Sequence, residues 1–311
     1  MRRVLAVTLV LLCSGCSGTS PSPAPSNQVI AQVGSSTVTN DVFQLRLQSA
    51  FTAVAQGGGP TNNAAMRSQV RASVLRSLII DTVIAREAAA AGVAATNAEI
   101  SAQLQADVTA AGGTAQLQAQ LTSLGGSLAQ LHDEIVSSLN EQKLEDLYAS
   151  QRAVEIEQKL AGGASFASLA TQYSDDTATS AKGGELGAVT RAQIQGDDPA
   201  YSGPVLALAA GQHNDPPIRD AQGYDIVELE SATPSALTLR HIVVNAPQPY
   251  TVRERPNWFG VAIFETLAQD CSAGQIHVYI TDVGDDVCAA ASASASPAGS
   301  GATAPSATPG R

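Results

Sequence analysis

Aromatic residues make up only 4% of the 311-residue chain, and charged residues only 14%. Basic side chains are in the minority, 17 Lys and Arg against 28 Asp and Glu, for a formal charge of −11. A nucleic-acid binder needs a basic face for phosphates and aromatic rings to stack on bases. This composition offers neither, so no nucleic-acid partner is expected. Cysteine is scarce too, with four in the chain. Past Cys13 and Cys16 of the N-terminal segment there is no Cys-x-x-Cys pair and no His-rich spacing, so neither a metal nor another cofactor is expected. The apolar run from Val4 to Leu12 is far too short to span a bilayer as a mature helix. What remains is a chain with 44% hydrophobic residues, much of it alanine, long enough for one large or two modest domains.

Arg2 and Arg3, the apolar run and Cys13-Ser14-Gly15-Cys16 together read as a targeting segment over 1–16. The end of it resembles the lipobox of bacterial lipoproteins, with Gly15 before the lipidated Cys16. Cys13 stands where leucine is usual, and an ordinary secretory signal is the alternative. The resemblance implies an exported protein, anchored to the cell membrane through Cys16 and facing the extracytoplasmic side. Without Arg2 and Arg3 the charge is about −13. Cys271 and Cys288 are then an even pair in an oxidising compartment, which predicts a disulfide. Residues 17–27 are Ser/Pro-rich and read as a disordered tether; residues 289–311, rich in Ala, Ser, Pro and Gly, read as a disordered tail.

The rest is predicted to be α+β. Gln28 to Val33 alternates as a strand, and Gly34-Ser35-Ser36 turns it into a second at Thr37 to Thr39. Asn40 is the expected N-cap of a helix to about Ala55. A long apolar-faced helix follows from about Ala64 to Ala91. Thr96 and Glu99 form a capping box, and Ser127 caps a helix running to about Leu160. This order resembles the SurA family of periplasmic chaperones over 28–150. The matching residues are Val29-Ile30-Ala31-Gln32-Val33, Val38-Thr39, Leu75-Arg76-Ser77-Leu78-Ile79, and Gly92-Val93 with Thr96, Glu99 and Ile100.

The stretch Tyr173 to Gly187 reads YSDDTATSAKGGELG. Paired carboxylates lead into a double glycine suited to a tight entry into a strand. With its flanks it resembles the parvulin-type peptidyl-prolyl isomerases. The match runs through Leu160 to Ala170 with Phe166, Ser174-Asp175-Asp176, Gly183-Gly184-Glu185-Leu186-Gly187, Pro217-Ile218 and Gly223-Tyr224-Asp225-Ile226. The resemblance implies a small antiparallel sheet over 151–245 and a slot for a proline ring walled by Leu186, Ile194 and Tyr201, with Asp176 beside the reacting amide. Leu186 and Ile194 also read simply as core.

Two features depart from the parvulin pattern. Asp225 stands where that family usually has histidine. The first strand, of the form R-H-I-L-V, does not precede Ala153; Leu237 to Val244 reads LTLRHIVV instead. A hairpin from Tyr224–Glu230 into Leu237–Val244 would fill the vacant first-strand slot by circular permutation and bring His241 to the pocket floor. The alternative is a truncated second repeat starting at Arg240. Residues 246–288 form an extension with an apolar helix around Trp258 to Phe264 and a strand from Gln275 to Thr281. The implied function is an exported foldase that binds unfolded or proline-containing polypeptides and isomerises X-Pro bonds, with catalytic residues Asp176 and His241. The alternative is a non-catalytic chaperone or binding lipoprotein with a degenerate parvulin domain.

Overall fold

A computed structural model describes residues 27–247, 255–281, 283 and 287–289. Cys13, Cys16 and nearly all of the tether and of the tail lie outside them. Strands β1 (Val29–Val33) and β2 (Ser36–Thr39) form the first hairpin. Helices α1 (Asn40–Gln56), α2 (Ala64–Ala90), α3 (Asn97–Ala111), α4 (Thr114–Ser123) and α5 (Leu128–Ala161) follow. The N-cap of α1 is Thr39, not Asn40, and its side chain makes no capping bond. Asn40 is drawn one position into the helix because its N–H bonds Gln28 O across the hairpin. Thr96 and Glu99 do form the capping box of α3, and Ser127 Oγ accepts the Gln130 N–H at the start of α5.

α5 is 34 residues long and crosses the position where the two domains were expected to meet. Leu144 packs with Ile84 and Ala88 of α2. From Ala149, less than two turns later, the buried residues Ala149, Ala153 and Ile156 face the second domain. There, α6 (Phe166–Tyr173) buries Phe166, Leu169, Ala170 and Tyr173 at helical spacing. Strand β3 (Glu185–Thr190) and helices α7 (Arg191–Gln195) and α8 (Pro199–Ala207) come next. The two-residue strands β4 (Gln212–His213) and β5 (Ile218–Arg219) precede the long hairpin of β6 (Gly223–Ala232) and β7 (Ala236–Asn245).

The sheet order is β3-β7-β6-β4, with β5 also on β6, and every pairing is antiparallel. Tyr224 opposes Val244 and Val227 opposes His241, so the hairpin forms and β7 fills the central slot. A truncated second repeat is therefore not what Arg240 begins. Alternation sorts the β6 and β7 side chains onto two faces. Ile226, Ile242 and Val244 pack on α5 and α6, whereas Val227, Leu229, Leu237 and Leu239 pack with Ile194 and Val205 beneath α7 and α8.

The segment after β7 returns to the first domain. Helix α9 (Asn257–Ser272) buries Phe259 and Ile263 against α2 and α5. Strand β8 is Ile276–Val278, shorter than expected, and pairs with β1. Val283 and Val287 are buried in the core that β1, α1 and α2 enclose. The predicted disulfide joins Cys271 to Cys288. Helix α9, β8 and the buried Val283 and Val287 thus complete the first domain, and the second is inserted into it. No helix of the described residues is long and apolar enough to cross a membrane.

Candidate active site

The double glycine is explained by two close approaches. Gly183 and Gly184 have φ of +68° and +81°, a region that glycine enters at little cost. A Cβ on Gly184 would lie 2.2 Å from the His241 carbonyl oxygen, and one on Gly183 would lie 2.7 Å from Ala167 Cβ. The turn is therefore pressed between α6 and β7. The His241 N–H closes it by donating to Gly184 O at 2.9 Å.

The preceding carboxylates have separate tasks. Asp175 Oδ2 accepts the Asn245 N–H and the Trp258 Nε1–H, each at 2.9 Å. Its N–H donates to Val243 O, and Ser174 Oγ accepts the Val243 N–H. This stitches the loop to β7 and α9. Burial pushes the Asp175 carboxyl above its ordinary range despite those bonds and nearby Arg152. Asp176 turns to the other side. Its Oδ1 accepts the Ala178 N–H at 3.0 Å, and its Oδ2 accepts the Thr179 hydroxyl at 2.5 Å.

His241 completes the cluster from β7. Its Nε2 lies 2.9 Å from Asp176 Oδ2 and 3.0 Å from Thr179 Oγ1, and its Nδ1 lies 3.5 Å from Asp225 Oδ2. Burial opposes ionisation of the Asp176 carboxyl, but the bonds from Thr179, His241 and Ala178 win and hold it below the ordinary carboxylate value. For His241, burial disfavours the cation, but Asp225 and then Asp176 outweigh it and raise the imidazole above its usual value. Asp225 is pushed up, by burial first, against the attraction of His241.

The expected slot residues are spread in depth. Leu186 lies at the irregular register between Glu185 and Gly187, and is 36% exposed. A bulge of this kind re-aims a side chain out of the sheet pattern. Tyr201 is half-buried beside the α7–α8 core. Ile194 is only 3% exposed, so it packs beneath the slot instead of forming an open wall. Burial, with Asp225 and Asp197 next, raises the Tyr201 phenol. The structure thus brings Asp176 and His241 together. It adds Thr179, which the sequence reading missed although Asp-x-x-Thr spacing is a local turn signal, and it makes Asp225 a neighbour of the histidine.

Two family models match the chain: the SurA-like N-terminal domain over residues 3–145 and the PPIC-type PPIASE domain over residues 132–231. The second match stops before β7 and His241. Among curated relatives, Chaperone SurA of Chromohalobacter salexigens is 41% identical over 85 residues, 27% of this chain and 19% of that one. Foldase protein PrsA 2 of Listeria innocua is 38% identical over 79 residues, 25% of this chain and 26% of that one. The matches thus span about a fifth to a quarter of those relatives' length. A crystal structure of PrsA from Bacillus anthracis, 20% identical, covers 66% of this chain and 98% of that one at a TM-score of 0.24, too low an overlap to bear on the fold. The chain is thus similar to the SurA and PrsA folding factors, matching a SurA-like N-terminal domain followed by a PPIC-type PPIASE domain.

Proposed function

We propose that this chain is an exported folding factor, held at the extracytoplasmic face of the cell membrane by a lipid on Cys16. It binds unfolded polypeptides and catalyses cis-trans isomerisation of X-Pro bonds. The observation that carries the catalytic part is the contact of His241 with Asp176, made by a strand that enters the sheet from the C-terminal side.

Rotation about a peptide bond faces a barrier of about 18–20 kcal/mol, and each 1.36 kcal/mol removed speeds it tenfold, to use the usual approximate figures. No bond is made or broken. Planar amide resonance places negative charge on oxygen and positive charge on nitrogen, and twisting removes both. A fixed carboxylate near the carbonyl oxygen disfavours the planar form more than the twisted one, which is differential binding of the transition state. Asp176 suits this task because three donors hold it ionised and immobile. Leu186 and Tyr201 offer apolar surface to a proline ring. The Cys271–Cys288 disulfide supports export, since such bonds persist in oxidising compartments.

The test is isomerisation of a proline peptide by wild type, Asp176→Ala and His241→Ala. Each substitution is expected to lower kcat/KM by about 10²–10³, the usual cost of one preorganised electrostatic group. A wild-type rate equal to the uncatalysed background removes the isomerase function. It would favour the second reading, a non-catalytic chaperone, for which Asp225 in place of histidine is the supporting feature. Suppression of aggregation is measured separately and survives either outcome. For the anchor, Cys16→Ser should release the protein from the membrane fraction; retention there would exclude lipidation at Cys16.

A further inference from the structure

Asp225 is the one buried acid that faces the site from the sheet. It is 6% exposed and its Oδ1 has no hydrogen-bond partner. The register explains its position. Val227 opposes His241, so Asp225, two residues before Val227 and on the same face, is the diagonal neighbour of His241. The imidazole ring is left with a carboxylate at each nitrogen, Asp176 at 2.9 Å and Asp225 at 3.5 Å. A neutral imidazole carries one N–H and one lone pair. It would turn a lone pair toward one of the two carboxylates.

We propose that Asp225 is a positioning residue that keeps His241 doubly protonated and fixes its ring, so that Nε2–H points at Asp176 and holds that carboxylate aimed at the substrate. This rests on the isomerase function proposed above. The arrangement alternates in charge from Asp176 through His241 to Asp225. The charge on the histidine is maintained from behind, by a group that does not touch the substrate. The titratable groups facing the pair are Asp176 from the loop after α6, Tyr201 from α8, and Asp220 from the turn before β6; Asp197 faces Tyr201. Burial alone would lower the His241 imidazole, and Asp225 is the largest influence in the opposite direction. Removing the Asp225 charge should therefore let His241 lose its proton at lower pH.

The experiment uses the full chain and two readouts. Long-range proton–nitrogen NMR follows the ring nitrogens of the four histidines, with His241→Gln assigning the signal. Proline-peptide isomerisation is measured over the same pH range. In wild type, both His241 nitrogens should carry protons at neutral pH. In Asp225→Asn the ring should become a single neutral tautomer, and the alkaline limb of kcat/KM should move to lower pH. At pH 8 that variant should be about ten- to a hundredfold slower, the usual worth of a charge-assisted hydrogen bond. Activity should recover toward acid pH, which a merely structural defect would not produce. A neutral His241 in wild type at neutral pH, or an unmoved titration in Asp225→Asn, overturns the proposal. If Asp225→Asn does not fold, the wild-type spectrum still decides, and Asp225→His serves as the second variant. An inactive wild type with doubly protonated His241 would refute the isomerase function and, with it, the positioning role, while leaving the ring's charge state established.

Discussion

Replacing Gly184 by alanine should damage this protein far more than a methyl group added at the nearby Gly187. Two costs combine. Holding alanine at φ +81° costs about 1–2 kcal/mol. The new Cβ would also sit 2.2 Å from the His241 carbonyl oxygen, and backbone cannot yield as a flexible side chain can. The turn must move off β7, which breaks the His241 N–H bond to Gly184 O and leaves buried polar groups unpaired, a further cost of about 1–3 kcal/mol. The sum is about 2–5 kcal/mol, a large share of the 5–15 kcal/mol, roughly, that holds a domain together. Gly187→Ala is the matched control. Its φ is +76°, but nothing lies within 4 Å of the added atom, so only about 1–2 kcal/mol should be lost. Urea unfolding followed by Trp258 fluorescence reads both variants, because the indole bonds Asp175 in the site loop. Amide exchange at His241 reports the broken bond directly. Equal losses in the two variants, or a protected His241 amide in Gly184→Ala, would refute the close-approach explanation of the double glycine.

The twin carboxylates should separate by assay: Asp175→Ala should cost about 3–6 kcal/mol in urea unfolding, for two lost hydrogen bonds to a charged group, whereas Asp176→Ala should cost far less stability and mainly activity. Breaking the disulfide with Cys271→Ser plus Cys288→Ser should cost about 3 kcal/mol, the loop entropy for a separation of 17 residues, and reductant should reproduce the loss in wild type only. Glu145, buried on α5, has its carboxyl pushed up to about 8 by burial, with Asp146 and Asp175 adding to it. Its folded-state value is raised, so the folded form holds the proton more tightly, and stability falls as pH rises from about 4.5 through about 8. Glu145→Gln should remove that slope and stabilise the protein by about 3–5 kcal/mol above pH 8, at 1.36 kcal/mol per pH unit; an unchanged pH profile of the unfolding midpoint would contradict the burial.

Much of the fold was legible because its signals are local. The capping box at Thr96 and Glu99, the cap at Ser127 and the alternation of Gln28 to Val33 each occupy one short window. What was not legible depends on distant partners. Ala31 pairs with Val278, and Gly34 N–H bonds Gln275 O, across nearly the whole chain. No pattern within α9 or β8 says that they close the first domain. The same holds for depth at the site. The family resemblance placed Ile194 on the wall of the slot, but only packing with Val205 and Leu237 decides that it lies below the surface. Thr179 was missed because its bond to Asp176 matters only once His241 arrives from β7.

The permuted strand and the long helix have one physical cause in common. A strand placed before residue 153 would have to enter the middle of the sheet, and α5 would have to stop to release it. With that strand moved behind β6, α5 runs unbroken from Leu144 in one core to Ile156 in the other. The antiparallel neighbours β6 and β7 need only a tight hairpin, closed by the Thr233 N–H bond to Ala236 O. The chain's return is secured at the same place. Asp175 Oδ2 bonds Asn245, the last residue of β7, and Trp258, near the start of α9. Asp176, one residue on, holds His241. A bond that marks the second crossing between the domains therefore sits next to the site. A strain that shifts α9 against α5 should reach Asp176 through one peptide unit, which makes Trp258 and Asp175 the place where the first domain can influence the chemistry of the second.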